Sequence, residues 1–291
     1  MTAVVRLVVS TDERYAMPTA ACIRSVIDSR DRTDPLHITV LANAVSERTR
    51  TRLLRSWRAA RCAITITPVD LGRFASLPTT SAVGATVTAA VYAPLLIGEL
   101  LPADWQRVIY LDSDTITRRP LNSLWNTDLR GSSLGAVRDD YVPTVSSPYG
   151  VPGWRELGLA ADLPYFNSGV LLIDLDAWRR QRIGEKAVQY LTQHAGDIRL
   201  FDQDALNAVC AGRWHELDTP WNVTGYWRKP ERRTGRYRTI LEDARIRHFA
   251  GYGKPWDPDP LPGVTDAGLF FHSLARTAWA STDSPEDGDR R

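Results

Sequence analysis

Short apolar runs alternate with longer amphipathic stretches along most of the chain. Val4 to Ser10, Leu36 to Leu41, Ala63 to Thr67 and Val108 to Leu111 have the length and β-branched content of buried strands. Between them, Ala20 to Ile27 predicts a helix. Ser46 is placed to cap another, whose apolar positions Leu53, Leu54 and Trp57 recur at spacings of three and four. Ala89 to Leu101 predicts a helix leading into the strand that stops at Asp112. Strands at Leu134 to Val137 and Val170 to Asp174 flank a Pro/Gly/Ser-rich stretch, Tyr141 to Pro164, whose length predicts a functional or mobile loop. Asp176 is placed to cap a helix through Ile183, Val188 and Leu191, and a further helix starts near Asp204 and ends at Gly212. Strand alternating with helix predicts an α/β fold with a Rossmann-like, mostly parallel sheet covered on both faces. With no repeat or linker in view, one domain is expected over residues 1–280, and the polar tail 281–291 is expected to be disordered.

Composition narrows the partners. The 36 basic and 34 acidic residues leave a net charge of +2, so no overall field favours nucleic acid or an anionic membrane. No run approaches the roughly 20 apolar residues of an integral membrane segment. The first apolar run is too short for a secretory leader and is expected to be the first core strand. Cys22, Cys62 and Cys210 are odd in number and widely spaced, which argues against a disulfide framework or zinc knuckle and for a reducing, cytoplasmic setting. Only Lys186, Lys229 and Lys254 of the basic residues are lysines. Oligomeric state is not legible.

The chemistry concentrates at strand ends. The Val108 to Leu111 strand runs into Asp112-Ser113-Asp114, and in an extended segment side chains two apart share a face, so both carboxylates can address one hard cation and the phosphates it carries. Ser10-Thr-Asp-Glu-Arg-Tyr15 leaves the first strand at the edge where open parallel sheets bind ligands. Asp12 and Tyr15 there suit either the edge and face of a nucleobase or a helix cap with a packed ring. No Gly-x-Gly-x-x-Gly follows, so a dinucleotide fingerprint is absent. Asn167 stands just before a predicted strand. Asp202 and Gln203 stand at a predicted helix start, where a simple N-cap is the competing reading for Asp202. His248-Phe-Ala-Gly-Tyr-Gly-Lys254 joins a metal-competent imidazole to two glycines and a lysine, a combination suited to a metal diphosphate.

Together these motifs, spanning Val4 to Trp256 in order, resemble glycosyltransferase family 8, the retaining, metal-dependent group that includes bacterial lipooligosaccharide galactosyltransferases and glycogenin. The resemblance implies a GT-A type fold and hexosyl transfer from a UDP-sugar donor to a hydroxyl-bearing acceptor. It implies Mn²⁺ (or Mg²⁺) held by Asp112, Asp114 and His248, with manganese favoured by the imidazole. It further implies that Asp12 and Tyr15 contact uracil, that Ser113 lies in the donor site, that Gly251 and Lys254 meet the diphosphate, and that Asp139, Asn167, Asp202 and Gln203 surround the transferred sugar, the last two as catalytic groups. One departure stands out. Where many members carry Tyr-Ala-Arg-Leu before the Asp-x-Asp strand, this chain has Tyr92-Ala93-Pro94-Leu95.

Two alternatives remain at this level. Loss of that arginine is consistent with a catalytically altered nucleotide-sugar binding protein. The strand ending Asp112-Ser-Asp114-Thr115 also matches the nucleophile motif of haloacid dehalogenase-type phosphatases, with Gly196, Asp197 and Asp202 as a later acidic motif. That motif should follow a buried strand, whereas an amphipathic helix is predicted before it.

Overall fold

Strand β1 (Val5–Asp12) lies at the centre of the fold because both its faces are apolar: Leu7 and Val9 pack on one side of the sheet and Val8 on the other, all fully buried. The computed structural model describes residues 4–280 apart from 32, 83, 85, 225–234, 252 and 258–265, so the tail 281–291 lies outside the described residues. Helix α1 (Ala16–Ser29), strand β2 (Leu36–Asn43), helix α2 (Glu47–Trp57) and strand β3 (Ala63–Pro68) follow, with Ser46 accepting the Thr49 N–H at 3.2 Å as the cap of α2. Leu53 and Trp57 bury against the sheet, while Leu54 is 44% exposed and lies off the apolar stripe.

The segment Ala89 to Leu101 is not one α-helix. Residues Ala89–Leu96 form a 3₁₀ helix, and only Ile97–Leu100 (α3) is α-helical. Pro94 lacks the N–H an α-helix would bond four residues back, which accounts for the tighter winding. Strand β4 (Arg107–Leu111), the short strand β5 (Thr115–Thr117), helix α4 (Asn122–Trp125), strand β6 (Leu134–Arg138) and strand β7 (Phe166–Asp174) come next. Asn167 therefore lies inside a strand rather than before one.

Helix α5 (Leu175–Gln181) is capped by Asp174, which accepts the Ala177 N–H at 2.8 Å, and not by Asp176. The left-handed Arg182 (φ 54°) separates it from α6 (Ile183–Gln193), so the predicted single helix is two. Helix α7 (Asp202–Cys210) begins two residues before the predicted start. Strand β8 (His215–Glu216), a 3₁₀ turn at Thr219–Trp221, helix α8 (Gly235–Asp243), strand β9 (Ile246–His248) and helix α9 (Ala267–Leu274) complete the described elements.

The main sheet has seven strands in the order β3-β2-β1-β4-β7-β6-β8, all parallel except β7, with α1 on one face and α6, α7 and the 3₁₀ helix on the other. The architecture is that of a single GT-A type domain. Register decides where the chemistry gathers. Val9 pairs with Leu111 and Leu111 with Val170, so the C-terminal ends of β1, β4 and β6 and the N-terminal end of the reversed β7 share one edge. That edge carries Asp12, Asp112, Asp139 and Asn167.

Candidate functional site

Asp112 leaves the sheet after Leu111 and the chain turns at once, with Thr115 N–H bonding Asp112 O at 3.2 Å. The two carboxylates thus converge through a turn and not through the pleat of one strand. Ser113 secures that turn: it donates to Ser10 O and accepts from Thr19 Oγ1 at 2.9 Å, so its hydroxyl is already engaged within the protein. Beyond the turn, β5 pairs antiparallel with β9, and this two-stranded sheet sets His248 opposite Thr115.

Asp112, Asp114 and His248 consequently offer three ligand atoms within 4.8 Å of one another. His248 Nε2 lies 3.2 Å from Asp114 Oδ1 and 3.6 Å from Asp112 Oδ2, and its Nδ1 lies 3.0 Å from Asn222 Oδ1. Two carboxylates and one imidazole nitrogen form a donor set that fits a borderline divalent transition ion. Tyr110, two residues before Asp112, donates to Asp112 Oδ1 at 2.8 Å.

The Lys254 ammonium donates to Asp114 Oδ2 and, at 2.7 Å, to Phe249 O. The turn that carries it back uses Gly251 and Gly253, both left-handed (φ 77° and 69°), a conformation other residues rarely adopt. Gly251 is exposed on that turn, outside the lining of the cleft described below. Burial pushes Asp114 up, but Lys254 and His248 outweigh it and hold the carboxyl well below its usual range; burial and the Asp114 charge together push Asp112 up. Burial lowers the Lys254 ammonium, and Asp114 more than reverses that, so it stays protonated.

A cleft of about 230 Å³ opens beside these groups, lined on one side by Asp12, Arg14 and Tyr15 and on the other by Thr88, Ala90 and Val91. Both oxygens of Asp12 are engaged within the protein. Its Oδ1 accepts the Tyr15 N–H at 2.8 Å as a cap, and Oδ2 accepts from Thr88 at the cleft wall. Tyr15 packs edge-on against Trp256 with ring centroids 6.2 Å apart, and burial raises its hydroxyl pKa. Arg14 also lines this cleft, while Glu13 turns away to bind Ser46 N at 2.8 Å. Pro94 is buried within the 3₁₀ helix, so that wall brings no cation to the cleft. A larger hollow, about 560 Å³, lies at the opposite end of β1 and β4 beside Arg6 and Asp174, remote from the carboxylate pair.

On the other flank, Asp139 Oδ1 accepts the N–H groups of Tyr141 (2.8 Å) and Val142 (2.9 Å), and Oδ2 accepts from Asn167 (3.0 Å) and Gln203 (3.2 Å). Gln203 Oε1 accepts Ser168 N–H at 3.0 Å. Asp202 is the first residue of α7 and not its cap, which is Phe201, whose φ of 52° is strained for a residue with a side chain. Burial, then the Asp112 charge, raises the Asp202 carboxyl far above its usual range. The structure therefore brings the predicted residues other than Gly251 to one edge, but Asp139, Asn167 and Gln203 are tied to one another.

Sequence reading missed Gly169, Asn222, Arg14 and Tyr110. Tyr110 had a local signal, two positions before Asp112 on one strand face. Asn222 had none, because it reaches the site through pairing of residues 222–224 with β9.

Comparison with known proteins agrees with this geometry. The chain is 26% identical to general stress protein A of Bacillus subtilis (strain 168), an alignment covering 97% of both, and 27% identical to lipopolysaccharide 1,2-glucosyltransferase of Escherichia coli (strain K12), covering 77% of this chain and 64% of the relative. The structure of galactosyltransferase LgtC in complex with donor and acceptor sugar analogues superposes with a TM-score of 0.78 at 28% identity, over 97% of this chain and 98% of that one. The sequence profile of Glycosyl transferase family 8 matches residues 6–259, and the chain is a glycosyltransferase belonging to that family.

Proposed function

We propose that the protein is a retaining hexosyltransferase that moves a sugar from a UDP-sugar to a hydroxyl acceptor with the help of Mn²⁺. The observation that carries this reading is the convergence of Asp112, Asp114 and His248 beside a cleft containing Asp12, Tyr15 and Lys254. Asp112, Asp114 and His248 would hold the ion, which when bound supplies Lewis-acid stabilisation of the leaving diphosphate. Lys254 adds a compact positive charge on the same side, and Ser113 and Gly251 shape the backbone on either side of it. Tyr15 offers a ring to the uracil face, and Asp12 a lone pair to its N–H.

Asp202 and Gln203 are assigned to the transferred sugar, with Asp139 and Asn167 holding Gln203 in place. Neither carboxyl group on that flank is a free nucleophile, because Asp139 already accepts from four donors and burial, with the Asp112 charge, disfavours the ionised form of Asp202. Retention is therefore assigned to attack on the face the diphosphate leaves, the departing phosphate oxygen taking the acceptor proton. The names of the relatives favour a hexosyl donor and a saccharide acceptor. No helix among the described residues is long and apolar enough to cross a membrane, and the three cysteines are free, which suits a cytoplasmic user of nucleotide sugars.

A second reading, donor binding without turnover, draws on Pro94. Release of free UDP from a panel of UDP-sugars with Mn²⁺ separates the two: turnover supports the enzyme, and binding without release supports the other. The phosphatase alternative ends with the family assignment; helix α6, and no strand, precedes Asp197.

A further inference from the structure

We infer that Asn222 is a positioning residue that keeps a proton on Nδ1 of His248, so that Nε2 is the ring nitrogen turned toward Asp112 and Asp114 and left for an ion held there. The argument starts at a backbone group whose polarity is certain. Gly169 N–H donates to the Asn167 side-chain oxygen at 3.0 Å, and the Asn167 amide nitrogen faces Asp139 Oδ2 at 3.0 Å. Flipping Asn167 would set two donors face to face at Gly169 and two acceptors face to face at Asp139, so its orientation is fixed. The Asn167 oxygen also lies 2.8 Å from Asn222, which must offer its NH₂ there and therefore its oxygen to His248 Nδ1, 3.0 Å away. An oxygen facing Nδ1 requires the proton on Nδ1. The remaining ring nitrogen, Nε2, is the one turned to the carboxylates, 3.2 Å from Asp114 Oδ1, and is the nitrogen left for an ion held there.

Asn222 and Asn167 are 2% and 4% exposed, so water does not compete with these bonds. The backbone holds Asn222 beside the ring: Val223 N–H bonds Ile246 O at 3.0 Å and His248 N–H bonds Val223 O at 2.9 Å. Orientation of a ligand imidazole through its second nitrogen is a general device, and losing it ordinarily costs ten- to a hundredfold in metal affinity. Here the same chain of side chains joins the histidine to Asp139 and Gln203. This inference rests on the proposed metal site for its purpose but not for its test.

The test is long-range ¹H–¹⁵N correlation of the histidine rings in the metal-free full chain, with His248→Gln identifying the signal. Wild type is expected to show a protonated, pyrrole-type Nδ1. Asn222→Leu is expected to lose that proton and to bind Mn²⁺ about 10–100-fold more weakly in an EPR titration, whereas Asn222→Asp, which keeps an oxygen at Nδ1, retains it. An unprotonated Nδ1 in wild type, or an unchanged ring in Asn222→Leu, overturns the inference. Should Asn222→Leu fail to fold, the wild-type and Asn222→Asp spectra decide, and loss of the Nδ1 proton in the latter overturns it. A wild type that shows the expected Nδ1 proton yet binds no Mn²⁺ overturns the proposed function and leaves the relay standing.

Discussion

Gly169 lies against His248 so closely that a methyl group on the former would overlap the imidazole of the latter; its Cβ would stand 2.7 Å from Nδ1 and 2.8 Å from Asp112 Oδ2. The backbone cannot retreat, because Gly169 O accepts Asp112 N–H at 2.8 Å within the β4–β7 register. Gly169→Ala is therefore expected to displace two of the three proposed ligands together. Mn²⁺ affinity should fall by at least about tenfold, with a stability loss of about 1–3 kcal/mol from overpacking. EPR titration and thermal melting measure the two effects. Wild-type affinity in this variant would show that the site tolerates the extra methyl.

Lys254 is partly buried and paired with Asp114, not free on a surface loop. Lys254→Ala leaves Asp114 without its cation, so a loss of roughly 3 kcal/mol in unfolding free energy is expected, together with weaker UDP binding. Lys254→Arg keeps the charge, but the planar guanidinium needs more room than the ammonium. Folding should be closer to wild type and turnover still reduced. Steady-state kinetics with chemical denaturation checks both, and wild-type turnover in Lys254→Arg would remove any special role for the lysine.

Asp112 and Asp114 should respond oppositely to neutralisation. A carboxyl raised in the folded state contributes stability below its unfolded value near 4 and loses it as pH rises through the folded value. A depressed one contributes above about 4 and loses it as pH falls. At pH 7 the metal-free protein thus carries a cost at Asp112 and a gain at Asp114. Asp114→Asn is expected to lower unfolding free energy by on the order of 2 kcal/mol, and Asp112→Asn to raise it. The second effect is smaller, because 36% of the Asp112 side chain is exposed and screened. Melting curves at pH 7 in EDTA test the signs; a destabilised Asp112→Asn would contradict this account of the pair.

Much of this was legible in the sequence because strands and caps announce themselves locally. β1, β2, β3 and β4 were bounded by apolar runs, and Ser46 capped α2 as read. The Asp112 and Asp114 pair was legible from its spacing, and His248 joined it through the family resemblance. Their convergence was not, because it depends on a turn at Ser113 and on pairing of the three-residue strands β5 and β9, too short to show a period. The reversal of β7 had no local signature either. The left-handed Arg182 broke a helix whose apolar spacing ran on undisturbed. Pro94 was visible, yet its consequence, a 3₁₀ wall without a cation, needed coordinates.

Uridine selection is the role proposed for Asp12 and Tyr15. UDP with Mn²⁺ is expected to bind at least about tenfold more tightly than ADP, whose ring N1 is an acceptor where uracil has N3–H, and than GDP, whose larger bicyclic base has to enter the same cleft of about 230 Å³. Calorimetric titration of the three nucleotides checks this, and equal affinity for GDP would move the base elsewhere.

The central claim is metal-dependent transfer from a UDP-sugar through Asp112, Asp114 and His248, and the most direct measurement is UDP release from a UDP-hexose panel in EDTA and after restoring Mn²⁺. The account predicts release with at least one donor only when the ion is present. It also predicts a loss of two or more decades in rate in Asp114→Ala. Undiminished release in EDTA, or in Asp114→Ala, would contradict it.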